Sequence, residues 1–478
     1  MINTGYKLNC FPSCLKHAII TPIYKNKGNH NEPDFYRPIS ILSTVSKVFE
    51  RAATNQIVEN LERNNLLFES QHAYRKSHST ATSLIETTDF IHKHLDEGKL
   101  VSLVSTDLSK AFDTLSHDLL LNKLRDMGFA RTSTTWLKSY LSNRTQQVKI
   151  NRITSSNETT KAGVPQGSIL GPILFIVFTA DLHHHLSDLK IVSYADDTQI
   201  LITGNSDEDI KKKVESCINR AQVWYTTNSL KINPSKTEVL VLGRKKNRKL
   251  LFNVNEGSNT TTIESSNKLK VLGVIIDEGL TWEPQIKSIK SKTYRITRNL
   301  ARTTSALTLK SRKLLYDALV TPHFSYCDTV WGGLSKRLSA DLQKVGNFAA
   351  KSLAGMKKKD SATEALQKLH MMPLEDKRNV HLAVQIHKFQ NNIGPKPLIE
   401  QYSRLSNRCH HFNTRSSARG DMSPIPHNTS RFERSTMYQA ITTWNKIPVE
   451  IRKIDNTSSF KRKYQAHLLE SFKKNAST

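Results

Sequence analysis

The stretch KIVSYADDTQILI, Lys190 to Ile202, sets two aspartates side by side inside a run that otherwise reads as a buried β-hairpin. An unpaired carboxylate in apolar surroundings costs several kcal/mol or gives up its charge, so a chain rarely places two acids there. Side chains alternate across a strand, so Asp196 and Asp197 serve one place only if the backbone turns between the flanking runs. Ala195 is small enough to allow close approach. Two like charges held together call for a neutralising cation, and an all-oxygen donor set suits Mg²⁺ or Mn²⁺. The competing reading is an acidic turn on the surface, which the apolar runs on both sides disfavour.

A third acid raises the stakes. LVSLVSTDL, Leu100 to Leu108, is β-branched and leucine-rich, and carries Asp107 at its far end. Two strands ending in aspartate bring three carboxylates around two metal ions, which in such clamps sit roughly 3.5–4 Å apart and serve phosphoryl transfer. Lys110, Asp113 and Asp118 have a plainer reading as loop and helix-start residues.

The rest of the chain gives this pair a setting. Residues 15–24 read as a strand, and the SILSTVSKVFERAATNQIVENLERNNLL run has helical spacing through Val45, Val48, Phe49, Ala52, Ile57 and Leu61. Residues 80–97 repeat that pattern up to Gly98, and HDLLLNKLRDMG reads as a helix stopped by Gly128. GSILGPILFIVFTADL is apolar almost all round, as a core helix would be. An amphipathic helix over 207–229 precedes two further strands, KTEVLVLG and KVLGVIID. Strands and helices thus interleave from 100 to 277, implying a mixed α/β sheet. Helical periods dominate beyond 280, and a turn-rich tail precedes a last helix.

Lysine and arginine outnumber the acids 70 to 42, a net charge of +28. A chain this basic is built to meet a polyanion, with phosphate contacts supplying a salt-sensitive share of affinity. The five cysteines are scattered and odd in number, against a secreted disulfide framework. No apolar run reaches membrane-span length and the N-terminus lacks a signal-peptide core, so an intracellular location, nucleus or cytoplasm, is expected with no membrane partner.

Four segments together resemble one family: FYRPISILSTVSKVF (Phe35–Phe49), DLSKAFD (Asp107–Asp113), GVPQGSILGP (Gly163–Pro172) and YADD (Tyr194–Asp197). They occur in the order seen in reverse transcriptases, most similar to those of non-LTR retrotransposons of the jockey or CR1 type. KTEVLVLG and VLGVIID resemble the next two motifs, and YCDTVWG and ITTWNKIPVEIR extend a weaker likeness toward the C-terminus. The resemblance implies a right-hand polymerase fold of the α/β (α+β) class: fingers in 1–99, a palm with a mixed sheet in 100–277 with a fingers insertion at about 118–160, a helical thumb or connection in 278–390, and a basic extension in 391–478. It implies RNA-directed DNA synthesis, in which a primer 3′-hydroxyl attacks a dNTP with the help of two Mg²⁺ ions, or Mn²⁺ in their place. The partners would be an RNA template, a DNA primer, their RNA/DNA hybrid and dNTPs. The other class is a nucleic-acid-binding remnant that keeps the fold and does not polymerise.

By the same resemblance, Asp107, Asp196 and Asp197 are the metal-binding carboxylates. Phe112 falls on the aromatic that blocks a ribose 2′-hydroxyl, or is plain core. Gln166 borders the incoming nucleotide, where its amide bonds a sugar hydroxyl or, alternatively, backbone. Arg37 and Lys25 match basic residues that meet the triphosphate, a task suited to arginine's planar fork, although a lysine on a basic loop is usually only solvated. Lys236 matches a residue that protonates departing pyrophosphate. Tyr194 packs beneath the primer end or fills core, and Leu272, Gly273 and Val274 match the grip on the primer terminus. SQHAYRKSHST carries His72 and Ala73 where the family pattern has Phe-Gly, which bears on template contacts there and not on the metal site. Members of this type carry an endonuclease ahead of the polymerase, and none is expected in this sequence, which begins almost at the first strand. Cys10, Cys14 and His17 lack a second zinc-ligand pair, as do Cys409, His410 and His411. His183–His185 read as a solvated loop. RKKNRK over 244–249 reads equally as a nuclear signal, a template contact or a hairpin loop.

Overall fold

The computed structural model describes residues 2–26, 28–106, 108, 111–230, 236–245, 247–256, 259–302, 306–407 and 419–475. Its strands are β1 His17–Tyr24, β2 Tyr36–Ile41, β3 Leu100–Thr106, β4 Arg144–Ile150, β5 Ile153–Thr154, β6 Glu158–Thr160, β7 Lys190–Tyr194, β8 Asp197–Gly204, β9 Glu238–Leu242, β10 Leu251–Glu256, β11 Asn259–Glu264, β12 Lys268–Val271 and β13 Val274–Asp277.

The central sheet has the order β7-β8-β3-β9, antiparallel throughout. Its strands carry aliphatic residues at successive positions, as at Ile200–Ile202 and Val239–Leu242, because both faces are covered. Alternate residues join two different cores. Val101, Leu103, Val192, Leu201, Leu240 and Leu242 pack with Leu84, Ile85 and Ile91 of helix Thr80–Asp96. Val104, Ile191, Ile200, Ile202, Val239 and Val241 pack with Val214, Ala221 and Tyr225 of helix Asp207–Thr227 and with helix Gly171–Phe178. That last helix is buried on every side from Ile173 to Phe178, which explains its lack of an amphipathic pattern.

A second sheet, β2-β1-β4-β5 with β6 on β4, supplies the parallel pairing, between β1 and β4, that makes the chain's sheets mixed in direction. The glycine-rich turn after β6 docks on its edge: Ser40 of β2 donates its N–H to the Gln166 carbonyl at 2.7 Å. Gly167, at φ +129°, permits this, since a Cβ there would meet the Ser40 carbonyl oxygen at 2.5 Å.

Most expected elements are present: β1, helix Thr44–Arg63, helix Thr80–Asp96 ended by Gly98 at φ +81°, and helix His117–Asp126. Three expectations need correction. Val45 and Val48 are about half exposed, and Phe49, Ala53, Ile57 and Leu61 form the buried stripe instead. KVLGVIID is a hairpin of two strands, β12 and β13, because Leu272 and Gly273 both take positive φ (46° and 84°), the geometry of a two-residue turn. The tail carries more than a single helix, with Thr436–Asn445 and Thr457–Asn475 among the described residues. Helix Arg131–Leu141 and strands β4–β6 gave no sequence signal strong enough to be read.

Beyond β13 the structure is helical. Helices Lys396–Asn407 and Thr436–Asn445 fold back onto helix Thr80–Asp96. Asp89 accepts hydrogen bonds there from the Tyr402 hydroxyl (2.9 Å), the Gln401 amide (3.3 Å) and the Met437 N–H (3.3 Å).

Candidate active site at the acidic hairpin

Strands β7 and β8 form a hairpin closed by the Tyr194–Asp197 pair, leaving Ala195 and Asp196 as a two-residue loop. Ala195 sits at φ +57°, a conformation that an L-residue with a Cβ adopts at a cost of order 1 kcal/mol or more. The turn brings the two acids to one end of the sheet. Asp196 is half-buried at the tip and Asp197 is exposed at the start of β8.

The same end receives two other strand termini. Thr106, the last residue of β3, lies opposite Thr198, the residue after Asp197. Glu238, at the start of β9, lies opposite Ser105. Asp107 and Lys110 fall outside the described residues. Asp107 directly follows Thr106 in the sequence. Lys236 is exposed, two residues ahead of β9, and so approaches the same sheet end. Beneath this end the Tyr225 hydroxyl meets the Thr106 hydroxyl at 3.3 Å, and burial pushes its pKa up.

The turn is also held from the side. Residues 70–73 run beside β7, with Ser193 donating to the Ser70 carbonyl (3.0 Å) and His72 donating to the Ser193 carbonyl (2.8 Å). The Gln71 side-chain oxygen accepts the Ala195 N–H at 3.2 Å. His72 is fully buried, its ring between the Thr82 hydroxyl (2.9 Å) and the Glu86 carboxylate (2.8 Å). Glu86 also accepts from Ser70 and from Lys190, each at 2.5 Å. Burial pushes the Glu86 carboxyl up, yet the His72 bond and the Lys190 ammonium prevail and hold it at about 2. Arg75 is committed to a two-point ion pair with Glu62 at 2.8 Å. Tyr74 is half-exposed, and its pKa is raised by burial and by the neighbouring Asp196 and Tyr194. The His72–Ala73 departure therefore bears on the acidic turn, which the sequence reading did not anticipate.

Phe112 is partly buried and stacks on Phe175, with ring centroids 4.8 Å apart. The Gln166 amide donates to both carboxylate oxygens of Asp113 at 2.9 Å, so its partner is a side chain and not backbone. Gly163, at φ +82°, lets the two loops meet, since a Cβ there would strike the Asp113 carbonyl at 2.6 Å. Arg37 is exposed on β2, opposite Ile23. Lys25 donates to the Asp34 carbonyl at 2.7 Å. Tyr194 is half-buried. The Leu272 carbonyl in the β12–β13 turn accepts the Tyr326 hydroxyl at 2.6 Å, which ties the YCDTVWG segment to that turn.

His183–His185 lie in the short helix Leu182–His185 and not in a loop; His183 stacks on Phe68 at 4.5 Å, whereas His184 and His185 are exposed. Cys10 and Cys14 are exposed thiols, and Cys409, His410 and His411 lie outside the described residues. In RKKNRK, Arg248 pairs with Asp207 at 2.8 Å. Among the described residues no group of three or more histidine, cysteine, aspartate or glutamate side chains gathers as a metal site, and no helix is long and apolar enough to cross a membrane.

Residues 23–276 match the family described as reverse transcriptase (RNA-dependent DNA polymerase), more than half of the chain. The chain belongs to that family, and the expected mixed α/β polymerase fold stands with it. Among its relatives is the probable RNA-directed DNA polymerase from transposon BS of Drosophila melanogaster, 29% identical over 362 residues, 73% of this chain and 40% of the relative. The RNA-directed DNA polymerase from mobile element jockey of the same organism is 27% identical over 364 residues, 74% of this chain and 38% of the relative. The expected kinship with jockey-like non-LTR elements is thereby shown. The chain spans about two fifths of the length of these relatives. Among solved structures, a telomerase from Candida tropicalis aligns with a TM-score of 0.40 at 11% identity, covering 81% of this chain and 69% of that one.

Proposed function

We propose that this chain is an RNA-directed DNA polymerase, as its relatives are named, and that it extends a primer 3′-hydroxyl with dNTPs. The observation that carries the reading is the pairing of Thr106 with Thr198 beside a two-residue Ala195–Asp196 turn. It supports convergence of Asp107, Asp196 and Asp197 at one end of the central sheet. These donors are all carboxylate oxygens with access to solvent at Asp197, a set that fits Mg²⁺ or Mn²⁺ and not a soft metal. Two such ions, when bound, would activate the attacking hydroxyl and stabilise the leaving oxygen.

The chain's own residues would do the rest. Phe112, braced by Phe175, would set the floor under the incoming sugar and exclude a 2′-hydroxyl. Gln166, its amide plane fixed by Asp113, would border the nucleotide. Arg37 and Lys25 would meet the triphosphate, and Lys236 would give a proton to pyrophosphate at its departure. Tyr194 and the Leu272–Gly273–Val274 turn would support the primer end. The division into fingers (1–99), palm (100–277), thumb (278–390) and basic extension (391–478) belongs to the same reading. The net charge of +28 suits an RNA/DNA hybrid held by its phosphates and shape.

The test is primer extension on poly(rA)·oligo(dT) with dTTP and Mg²⁺. Incorporation above a no-metal control is expected. Tight binding of the hybrid with no extension in Mg²⁺ or Mn²⁺ would favour the remnant reading instead.

A further inference from the structure

The SQHA segment, Ser70 to Ala73, has no place in the chemistry above, yet it is built into the flank of the acidic hairpin. Gln71 is 5% exposed, and its one side-chain oxygen accepts two backbone N–H groups, from Ala73 (3.0 Å) and from Ala195 (3.2 Å). Both partners are donors, so the amide has a single sensible orientation, with oxygen toward the turn. The oxygen's two acceptor positions are then both used, which leaves the side chain no rotation that keeps both bonds. Ala195 is the residue whose positive φ allows a two-residue loop, and the N–H of such a residue would otherwise face solvent or go unpaired.

The base of the same strand is anchored by the same segment. Ser70 and His72 bond Glu86, and Glu86 bonds Lys190, the first residue of β7. Both ends of β7 are thus referred to one fixed strip of chain: Lys190 through Glu86, and Ala195 through Gln71. A ring at position 72 does this because its two nitrogens span Thr82 and Glu86. We propose that Gln71 is a positioning residue for the acidic turn, holding the Ala195 peptide so that Asp196 and Asp197 present their carboxylates together, with His72, Glu86 and Lys190 as the footing of that hold. This rests on the polymerase reading for its consequence, though not for its geometry.

Gln71→Leu keeps the volume and removes the acceptor; Gln71→Glu keeps an acceptor oxygen. Hydrogen exchange followed by mass spectrometry on peptides spanning 190–200 reads the hold directly. Exchange at the turn should be about tenfold faster in Gln71→Leu, with Gln71→Glu close to wild type. Mn²⁺ binding to the nucleic-acid-free protein, followed by electron paramagnetic resonance, should weaken about tenfold in Gln71→Leu and hold or tighten in Gln71→Glu. Melting temperatures of the two variants provide the control for general packing damage. Equal behaviour of the two variants, or unchanged exchange at the turn in Gln71→Leu, overturns the proposal. If Gln71→Leu does not fold, the wild type decides alone, because an Ala195 amide exchanging like an unstructured one also overturns it. A wild type that binds no Mn²⁺ and extends no primer refutes the polymerase reading, while the exchange result still decides whether Gln71 holds the turn.

Discussion

Ala195 shows how one residue converts a strand pattern into a site. Period-two alternation would send Asp196 and Asp197 to opposite faces, and only the positive φ at Ala195 brings them to a common edge. The sequence made the acids conspicuous and left their support unseen. Gln71 lies 124 positions from Ala195, and a buried glutamine carries no local signal of what it will bond. Asp113 read as a loop acid, and its bond to Gln166 depends on Gly163 bringing two loops together. Phe112 was legible in both of its readings, and its stacking on Phe175 is compatible with each. A direct discrimination is available. Phe112→Ala should raise incorporation of ribonucleotides relative to dNTPs by about tenfold or more in single-nucleotide extension, whereas unchanged sugar selectivity would return Phe112 to the core.

Among the elements, those with both faces buried were the easiest to read, because β3, β8 and β9 send aliphatic residues into a core on either side of the sheet. The β12–β13 turn was missed because its sequence, Leu-Gly, places a leucine at a left-handed position where Asn or Gly would have advertised a hairpin. Strands β4 to β6 are polar and at most partly covered over most of their length, so neither periodicity nor burial marks them. The anchoring of β7 gives a stability prediction. Glu86 is 4% exposed and its ionised form is maintained by His72 and Lys190. Lys190→Met would leave that buried carboxylate with His72 and the Ser70 hydroxyl but no ammonium, at a cost of about 3 kcal/mol. Urea unfolding at neutral pH measures it; a loss under about 0.5 kcal/mol would mean that the ion pair does not contribute.

For the molecule as a whole, the C-terminal helices close onto helix Thr80–Asp96 through Asp89, which is buried. Burial pushes its pKa up to about 7, against the opposing pull of the bonds from Tyr402, Met437 and Gln401. The folded pKa lies above the unfolded one, so the folded state retains a proton that the unfolded chain loses from about pH 4. Stability from this group is complete below that pH, declines as pH rises and is gone above about 7. Relative to Asp89→Asn, the wild type should therefore lose melting temperature between pH 4.5 and 7.5, roughly in step with about one proton. A flat difference between the two proteins would mean that Asp89 ionises normally. Fold class was legible from interleaved elements, whereas the docking of the tail, which joins residues more than 300 positions apart, was not. The central claim is that two distant segments supply one set of carboxylates. It is tested most directly by extension rates on poly(rA)·oligo(dT) for the wild type, Asp107→Asn, Asp196→Asn and the double variant, with hybrid affinity measured alongside. Each single change should abolish extension, on the order of a thousandfold or more, with hybrid affinity within about twofold, and the double variant should be no worse than the poorer single one. Extension near the wild-type rate in either single variant would contradict it.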